Sequence, residues 1–499
     1  MRTVPGRTDE IVVVGAGLSG LSAALHLVGR GRRVTVVERG PGPGGRVSRL
    51  ELDGYHLDTG PTVLTMPGIV RGTFAAAGAD MTEYLPLRRL DPAYTACFAD
   101  GSRLPVHADA EAMTEAVRAF AGPAEAAGYR RLRTWLTRLY RAEFDRFVAS
   151  NIDSPLSLVS RDLARLAALG GFRRLDPKIA TFLRDERLRR VFTFQALYAG
   201  ESPMRALALY AVIPYMDTVG GVYFPEGGIA ALPRALAAAA EAAGVQFRYG
   251  DGADVLERRG NRVSAVLTGS GDRIPCDTVV LTGELPESYR LLGRTPRRPR
   301  RLRPAPSALV VHVGSAGAWP EVGHHTLSLG HAWASTFREL ITDGRQMSDP
   351  SLLITRPTAS DPNLAPAGRH LFSILAPAPN LERGPIDWSR EAEPAAAALL
   401  DEVRKRLLPG LDAEVSHVIS PADWAARGMV TGTPFSYAHS FGQTGPFRPR
   451  NLPRGAENVV LAGAGTVPGV GVPTVLLSGR LAADRITGPG PYFGTEGPR

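Results

Sequence analysis

The sequence predicts an α/β protein built around a parallel sheet, and two segments carry this prediction. Near the N terminus, VVVGAGLSGLSAALHL followed by RRVTVVE alternates a strand, a glycine turn, a helix and a second strand. Near the other end, ENVVLAGAGTVPGVGVPTVLLSGRLAADRI again pairs a strand with a glycine turn and a helix. The first segment is a βαβ unit, which joins parallel strands through a helix.

Size and charge set the outer bounds of the prediction. The chain has 499 residues, 44% of them hydrophobic, and therefore exceeds one ordinary core, so we expect two or three packed units. The net charge of +9 suits nucleic acid, an anionic membrane surface or simply solubility. Cys97 and Cys276 have neither a C-x-x-C nor a zinc spacing, which indicates no disulfide framework and no metal cluster, and the chain is expected to be intracellular.

The N-terminal apolar stretch superficially resembles a secretory signal, because Arg2 and Arg7 precede it. Its glycines fall where a strand turns into a helix, and another strand follows instead of a cleavage site. No other stretch is long and apolar enough to span a bilayer. We therefore interpret the stretch as part of the fold.

The first glycine turn predicts a Rossmann-like dinucleotide site. Gly15 permits the tight turn, Gly17 lets the backbone approach a pyrophosphate, and Gly20 allows close packing of the helix on the sheet. The helix N terminus then faces the phosphates. Glu38 ends the second strand, where a carboxylate accepts hydrogen bonds from an adenosine ribose.

The next run, PGPGGRVSRLELDGYHLDTGPTVLTMP, favours FAD over NAD. Gly44 and Gly45 give bare backbone amides beside the expected pyrophosphate, and Arg46 adds a fixed positive charge. A second loop that faces the cofactor suits the longer FAD. An ordinary surface loop is the alternative.

The C-terminal segment is expected to return to the cofactor. Its glycines, Gly463, Gly465, Gly469 and Gly471, would let main chain and a helix N terminus approach the flavin, with Pro473 near the helix start. A purely structural strand-helix junction is the alternative.

Taken together, these segments resemble the bacterial and fungal type of phytoene desaturase, within the flavin amine oxidase-like group. The resemblance spans essentially the whole chain. The stretch TGPTVLTMP and the closing AGAGTVPGVGVP are its more specific parts, since many flavoproteins share the first glycine turn. Val467 departs from the family, whose members often carry His, Gln or Thr there, and this excludes a chemical role for a polar side chain at that position.

The resemblance implies a fold of the glutathione reductase/amine oxidase type. Its FAD-binding domain would be discontinuous, formed by residues 1–85, 226–296 and 455–499. Residues 86–225 would form a helical, membrane-contacting substrate region, and residues 297–454 a mixed-sheet substrate domain. The basic, proline-rich run RTPRRPRRLRPAP marks a boundary or an exposed connection before the latter.

The residues expected to bind FAD lie in five runs of sequence and at the separate position Ala253. They are Gly15, Ala16, Gly17, Leu18, Ser19 and Gly20; Glu38 and Arg39; Gly44, Gly45 and Arg46; Gly60, Pro61 and Thr62, together with Ala253; and Gly463, Gly465, Gly469 and Val470.

Two apolar patterns leave alternatives open in the helical region. The helix candidate YRRLRTWLTRLYRAEFDRFV carries an apolar stripe, which suits either a membrane surface or the protein core. The stripe consists of Leu132, Trp135, Leu136, Leu139, Tyr140 and Phe147. The run from FTFQALYAG to LALYAVIPYM suits either a hydrocarbon tunnel or ordinary core.

The implied reaction is the desaturation of phytoene toward lycopene or a related, more conjugated carotene, by hydride transfer to flavin N5 and proton loss from the adjacent carbon. No catalytic base is identified. His324 and His325 would point to opposite faces of a strand, so a metal site is not expected. Oxygen or a membrane quinone would reoxidise the flavin, since no iron-sulfur or haem motif appears. Attachment to the cytoplasmic membrane from the cytoplasm would give access to a substrate that lives in lipid.

Three rival functions differ in class. A related carotenoid flavoenzyme, such as a ketolase, an isomerase or a desaturase of another carotene, is poorly separated by motifs alone. A flavin amine oxidase would share the FAD loops, but the TGPTVLTMP stretch argues against it. A non-enzymatic membrane or nucleic-acid binding protein would explain only the basic charge, so no nucleic acid partner is expected.

Overall fold

The fold is described from a computed structural model, over residues 1–294 and 301–491. Residues 295–300 of the predicted basic connection, as well as the far ends of the predicted segments 226–296 and 455–499, therefore lie outside the described residues.

The strands and α-helices follow one another along the whole described chain. The strands are β1 (Glu10–Val14), β2 (Arg33–Glu38), β3 (Arg49–Leu52), β4 (Tyr55–Asp58), β5 (Leu64–Thr65), β6 (Leu87–Arg89), β7 (Tyr94–Phe98), β8 (Arg103–Val106), β9 (Val222–Pro225), β10 (Gln246–Tyr249), β11 (Ala253–Arg259), β12 (Arg262–Thr268), β13 (Arg273–Pro275), β14 (Thr278–Leu281), β15 (Ser307–Ser315), β16 (His325–Leu329), β17 (Leu352–Thr355), β18 (His370–Ala378), β19 (Val415–Ile419) and β20 (Val459–Leu461). The α-helices are α1 (Leu18–Val28), α2 (Pro67–Ala75), α3 (Met81–Tyr84), α4 (Ala110–Ala121), α5 (Pro123–Glu143), α6 (Arg161–Ala168), α7 (Leu175–Ile179), α8 (Glu186–Val191), α9 (Val212–Thr218), α10 (Ala231–Ala242), α11 (Leu285–Leu291), α12 (Ala334–Arg338), α13 (Trp388–Arg406), α14 (Pro421–Ala426) and α15 (Val472–Thr487).

A five-stranded sheet in the order β10-β2-β1-β14-β20 forms one centre of the fold. All neighbouring strands in it are parallel, and β1, β14 and β20 are almost completely buried. Their runs of valine and leucine suit a sheet that is covered on both faces. Helix α1 packs against α10 and α15 beside this sheet. The α/β class predicted from the glycine turns is thereby confirmed.

This parallel sheet draws its strands from three separate parts of the chain. β1 and β2 come from the N-terminal segment, β10 and β14 from the middle, and β20 from the C-terminal segment. The first glycine turn follows β1 and the C-terminal glycine turn follows β20, so both turns lie at the carboxyl ends of strands of the same sheet.

A seven-stranded sheet in the order β19-β15-β18-β17-β16-β7-β8 forms the second centre. Only β16 and β7 pair in parallel in it, and α13 contributes to the core on one of its faces. β7 and β8 differ from the expectation of a mostly helical segment after residue 86. Each is only four or five residues long, which gives a sequence pattern too little length to show its period.

Helix α5 begins at Pro123, earlier than the sequence predicts, and its α-helical hydrogen bonding ends at Glu143. A π-helical turn continues it from Phe144 to Val148. The apolar stripe is buried at four of its positions, with Tyr140 and Phe147 half-buried. The stripe therefore packs on the core, and of the two alternatives the membrane surface is wrong for this helix.

Within the described ranges, we find no helix that combines the length and the apolar character needed to cross a bilayer.

Candidate functional site

One cavity of about 1580 Å³ runs between the two sheets and into the helical region. Its walls include Val14 of β1, Val310 of β15 and Leu375 of β18. The two ends of the cavity differ in the chemistry of their lining residues. The first is lined by the predicted glycine loops, and we call it the cofactor end; the second is mostly apolar, and we call it the substrate end.

Nearly all the residues predicted to bind FAD line this cavity. On its wall are Gly15, Gly17, Leu18, Ser19, Glu38, Arg39, Gly44, Gly45, Arg46, Gly60, Pro61, Thr62, Ala253, Gly463, Gly465 and Val470. Ala16, Gly20 and Gly469 are not on the wall but directly behind it. A Cβ on Gly20 would lie 1.9 Å from the carbonyl oxygen of Gly15, so Gly20 serves the packing of α1 against the turn.

The backbone of the first glycine turn is open toward the cavity because two glycine segments approach each other. Gly45, at a φ of +61°, would place a Cβ 3.2 Å from the Cα of Gly17. The amide of Gly44 donates to the carbonyl oxygen of Ala16 at 3.0 Å. Any side chain here would fill the space in front of the helix.

The N terminus of α1 faces this space with unpaired donors. No side chain caps its first turn, so the first N–H groups and the positive end of the helix dipole are available for an anion. Glu38 lies beside it, and its carboxylate accepts hydrogen bonds from the amides of Ala16 and Gly40, both at 2.7 Å. Amide donors for a diphosphate next to a carboxylate acceptor for ribose hydroxyls fit FAD at this end.

An ion pair and a hydrogen bond tie together the loops around the cofactor end. Arg46 forms an ion pair with Glu284, which follows β14. Arg39 donates to the carbonyl oxygen of Arg427 at 3.2 Å. Sequence reasoning missed Glu284, because only the fold brings the loop after β14 to the GPGGR run.

The C-terminal glycine loop is held from behind by a buried arginine. Arg448 donates from Nε to the carbonyl oxygen of Thr466 at 2.8 Å and from Nη2 to that of Ala464 at 2.5 Å. The amide of Gly463 donates to Oγ of Ser478 at 3.0 Å. Sequence reasoning missed Arg448 as well, since an arginine in the loop sequence GPFRPRN gives no signal of burial.

The N terminus of α15 also opens on the cavity. Gly471 precedes it without a side-chain cap, and Val472, Pro473 and Thr474 of its first turn line the wall. Gly469 has no room for a Cβ, which would lie 2.1 Å from the ring of His439. The predicted approach of this loop to a cofactor is therefore possible on its cavity side, while its other side packs on His439.

The substrate end is lined mainly by aliphatic and aromatic side chains. They include Phe147, Val148, Leu158, Leu163, Leu166, Tyr198, Leu209, Tyr210, Val212, Ile213 and Met216. Several belong to the apolar run from Phe192 to Met216, and neighbouring residues of that run, such as Ala208 and Ala211, are fully buried core. Some residues of this run thus line the cavity, and others belong to ordinary core.

Two carboxyl groups interrupt this apolar wall. Burial raises the pKa of Glu143 to about 8. Burial also raises the pKa of Asp217, to about 7, against the opposing effect of a hydrogen bond from Gln195 at 3.2 Å. A signal for Glu143 exists in the sequence: it lies four residues after Leu139 and seven after Leu136, on the same buried stripe.

The histidines near the cavity are neutral at ordinary pH, because burial lowers the pKa of both His417 and His439. His324 and His325 do not point apart as expected. Their rings lie 4.5 Å from each other, because His324 precedes strand β16 and is free of its alternation. Within residues 1–294 and 301–491, no group of three or more His, Cys, Asp or Glu side chains is placed to hold a metal ion.

The outer rim of the substrate end carries exposed apolar side chains. Leu156 and Val159 are 80% and 71% exposed, and they flank Leu158 of the cavity wall. Phe172, Phe441 and Phe447 line the cavity and are also exposed. We call these five residues the apolar rim. Exposed arginines accompany it, namely Arg161, Arg165, Arg173 and Arg174.

Comparison with known proteins shows the family to which the chain belongs. Residues 18–487 match the family of flavin containing amine oxidoreductases. The chain is 62% identical to a phytoene dehydrogenase of Streptomyces griseus over 98% of its length and 97% of the relative. It is 34% identical to a zeta-carotene-forming phytoene desaturase of Myxococcus xanthus, over 96% and 93% of the two chains. An oxidoreductase from Methanosarcina mazei has a similar fold, with a TM-score of 0.64 at 16% identity over 94% and 98% of the chains.

Proposed function

Because the chain belongs to the flavin-containing amine oxidoreductases and, within them, to the phytoene desaturases, we propose that it uses FAD to dehydrogenate phytoene to a more conjugated carotene. Membership in this family confirms the predicted FAD cofactor and the oxidoreductase class. The observation that carries the proposal beyond the family is the single cavity, in which glycine loops continue into a long apolar wall.

The cofactor end would hold FAD through the residues predicted from the sequence. The first turn of α1 and the amides of Gly44 and Gly45 would contact the diphosphate, and Glu38 the adenosine ribose. Ala253, where β11 begins, would offer its backbone to the adenine. The described parts of residues 1–85, 226–296 and 455–499 would then act together as the FAD-binding domain.

Bound FAD supplies a hydride acceptor at this site. The chain itself orients the substrate and excludes water. The aliphatic wall aligns an extended hydrocarbon and keeps water away from the cation that forms on this hydrocarbon when hydride leaves. A polyene spreads such a charge over its conjugated carbons, so the wall needs few polar groups. The lining of the substrate end agrees with this requirement, since its described residues are mainly aliphatic and aromatic, with the carboxyl groups of Glu143 and Asp217 among them.

The apolar rim is proposed to rest on the cytoplasmic membrane surface. Apolar side chains at the mouth of a hydrocarbon cavity, accompanied by exposed arginines, suit the boundary between acyl chains and anionic headgroups. Phytoene would pass from lipid into the cavity without crossing water. An external acceptor, oxygen or a membrane quinone, would reoxidise the flavin.

Purified, FAD-loaded protein incubated with phytoene-containing liposomes tests the function, with pigments analysed by chromatography and visible absorption. We expect coloured carotenes with added conjugated double bonds, and their spectra count the desaturation steps. Untouched phytoene beside a bound, reducible flavin would instead favour another carotenoid substrate, and the same assay with oxygenated carotenes would identify it.

A further inference from the structure

Glu143 is a buried polar group in the apolar wall of the substrate end. The residue is 5% exposed and lines the cavity where α5 gives way to the π-helical turn. Among the described residues, nothing donates a hydrogen bond to its Oε2. A buried carboxyl oxygen without a hydrogen-bond partner destabilises a fold, so its presence in an apolar wall points to a chemical role.

The helix that ends at Glu143 is linked by packing to the C-terminal glycine loop. Helix α5 contacts the turn Ala208–Ala211, which includes Tyr210, and Glu143 and Tyr210 both line the cavity. The ring of Tyr210 meets that of His439 edge-on, with centroids 5.8 Å apart, and His439 packs on Gly469. Packing contacts thus lead from α5 through Tyr210 and His439 to the loop expected to face the flavin.

The proposed reaction needs a base in this place. Dehydrogenation breaks two C–H bonds on adjacent carbons, and one hydrogen leaves with its electron pair as hydride to FAD. The other must leave as a proton, while its bonding electrons form the new double bond. Water is excluded from the apolar wall, so a side chain has to accept this proton.

We propose that the Glu143 carboxylate accepts the proton lost from the carotene, forming an O–H bond as the new carbon-carbon double bond forms. This assignment rests on the proposed function. The carboxylate also faces the cationic hydrocarbon before the proton leaves, and its negative charge stabilises that cation in a medium of low dielectric constant.

The other titratable groups around Glu143 are less suitable acceptors. Burial raises the pKa values of Tyr198 and Tyr210, so neither is ionised near neutral pH. Burial and Arg448 hold the pKa of His439 well below its usual value, which makes it a weak base. Asp217 already accepts a hydrogen bond from Gln195. With a pKa of about 8, Glu143 has the higher affinity for a proton.

Anaerobic single-turnover kinetics test the assignment, with FAD-loaded enzyme mixed with phytoene liposomes and flavin absorption followed over time. We expect the wild-type rate of flavin reduction to rise about tenfold per pH unit below pH 8 and to level off above it. Glu143→Gln should slow it by at least about 100-fold and remove the pH dependence, whereas Glu143→Asp keeps a reduced, pH-dependent rate.

Glu125→Gln is the matched control, because Glu125 is a buried glutamate of the same helix that accepts from the amide of Arg184 and does not line the cavity. Its rate and pH profile should stay within about threefold of the wild type. A second measurement does not depend on turnover. Infrared difference spectra of the holoenzyme should show a carboxyl band that titrates near pH 8. This band should be absent in Glu143→Gln and present in Glu125→Gln.

The outcomes separate the two claims. If wild-type flavin is reduced by phytoene while Glu143→Gln, with normal flavin content, keeps both the rate and the pH dependence, the assignment of Glu143 is overturned and the function stands. If wild-type flavin stays oxidised with phytoene, the proposed function fails and the assignment fails with it.

Discussion

At the scale of single residues, Glu38 gives the most direct test of the cofactor site. Its carboxylate lines the cavity and already accepts two backbone amides, which leaves further lone pairs for ribose hydroxyls. Glu38→Arg removes the acceptor and adds a bulky cation, so we expect FAD affinity to fall by at least about 100-fold. Fluorescence titration of the FAD-free protein with FAD measures this.

Glu10→Gln serves as the control for that measurement. Glu10 lies at the opposite end of the neighbouring strand β1 and pairs with Arg33 at the surface. FAD affinity should be unchanged in this variant. Full FAD occupancy in purified Glu38→Arg would contradict the assignment of the ribose acceptor.

A second prediction concerns how Glu143 couples stability to pH. Its pKa is raised by burial from 4.5 in the unfolded chain to about 8, so the folded protein holds the proton more tightly. The contribution of this proton to the free energy of unfolding is fully present below pH 4.5. As the pH rises to about 8, the free energy of unfolding falls by roughly 3–5 kcal/mol. We therefore expect Glu143→Gln to be more stable than the wild type at pH 8. We expect this difference in stability to be much smaller at pH 5.

Urea unfolding of the two FAD-loaded proteins at both pH values measures the difference. A stability difference that is the same at pH 5 and pH 8 would contradict a carboxyl group that is protonated in the folded state. A structural role for Glu143 would give the opposite sign, since replacing a supporting residue destabilises the fold.

The glycine loops could be predicted from the sequence because their function depends on backbone that a short local motif fixes. Glu38 could be predicted because its carboxylate stands at the end of the strand that follows this motif. Glu143 and Arg448 could not be assigned in the same way. Their chemistry arises from burial against distant segments, Tyr210 for the first and Ala464 for the second. The helical spacing indicates that Glu143 faces inward, but it does not indicate which residues surround the side chain.

At the scale of elements, the contact between α1 and α15 brings two helix N termini to one cavity. Gly479 of α15 lies against α1, where a Cβ would be 2.3 Å from the carbonyl oxygen of Ser19 and 2.7 Å from the Cβ of Ser22. Gly479→Ala forces the helices apart, and we expect it to lower both the Tm, by about 3 °C or more, and the FAD content.

Gly323→Ala is the matched substitution, since a Cβ there meets nothing within 4 Å and the residue does not line the cavity. Thermal unfolding and flavin content of purified proteins measure both effects. If Gly479→Ala behaves like Gly323→Ala, the spacing of the two helices does not set the geometry of the cofactor end.

Elements were predicted well where their periodicity is long and less well where it is short. The strong runs of β1, α1 and β2 lie where the sequence places them. β7 and β8 are too short to show a period in the sequence. The change from α-helix to π-helix after Glu143 has no signal in the sequence.

At the scale of the whole molecule, the apolar rim predicts how the substrate enters. Replacing Leu156, Val159 and Phe441 by serine removes three exposed apolar side chains from the mouth of the cavity. We expect binding to anionic liposomes to weaken by about 100-fold, since each side chain contributes on the order of 1 kcal/mol when it enters the interface. Co-flotation with liposomes at low salt measures this.

Turnover distinguishes loss of docking from damage to the active site. The triple variant should convert phytoene poorly from liposomes but at nearly the wild-type rate from detergent micelles, because the rim acts on delivery and not on the reaction. Val255→Ser with Leu381→Ser is the control, since both residues are exposed and apolar but lie off the cavity wall. Undiminished co-flotation of the triple variant would mean that another surface meets the membrane, and phytoene would then have to reach the cavity by a different mouth.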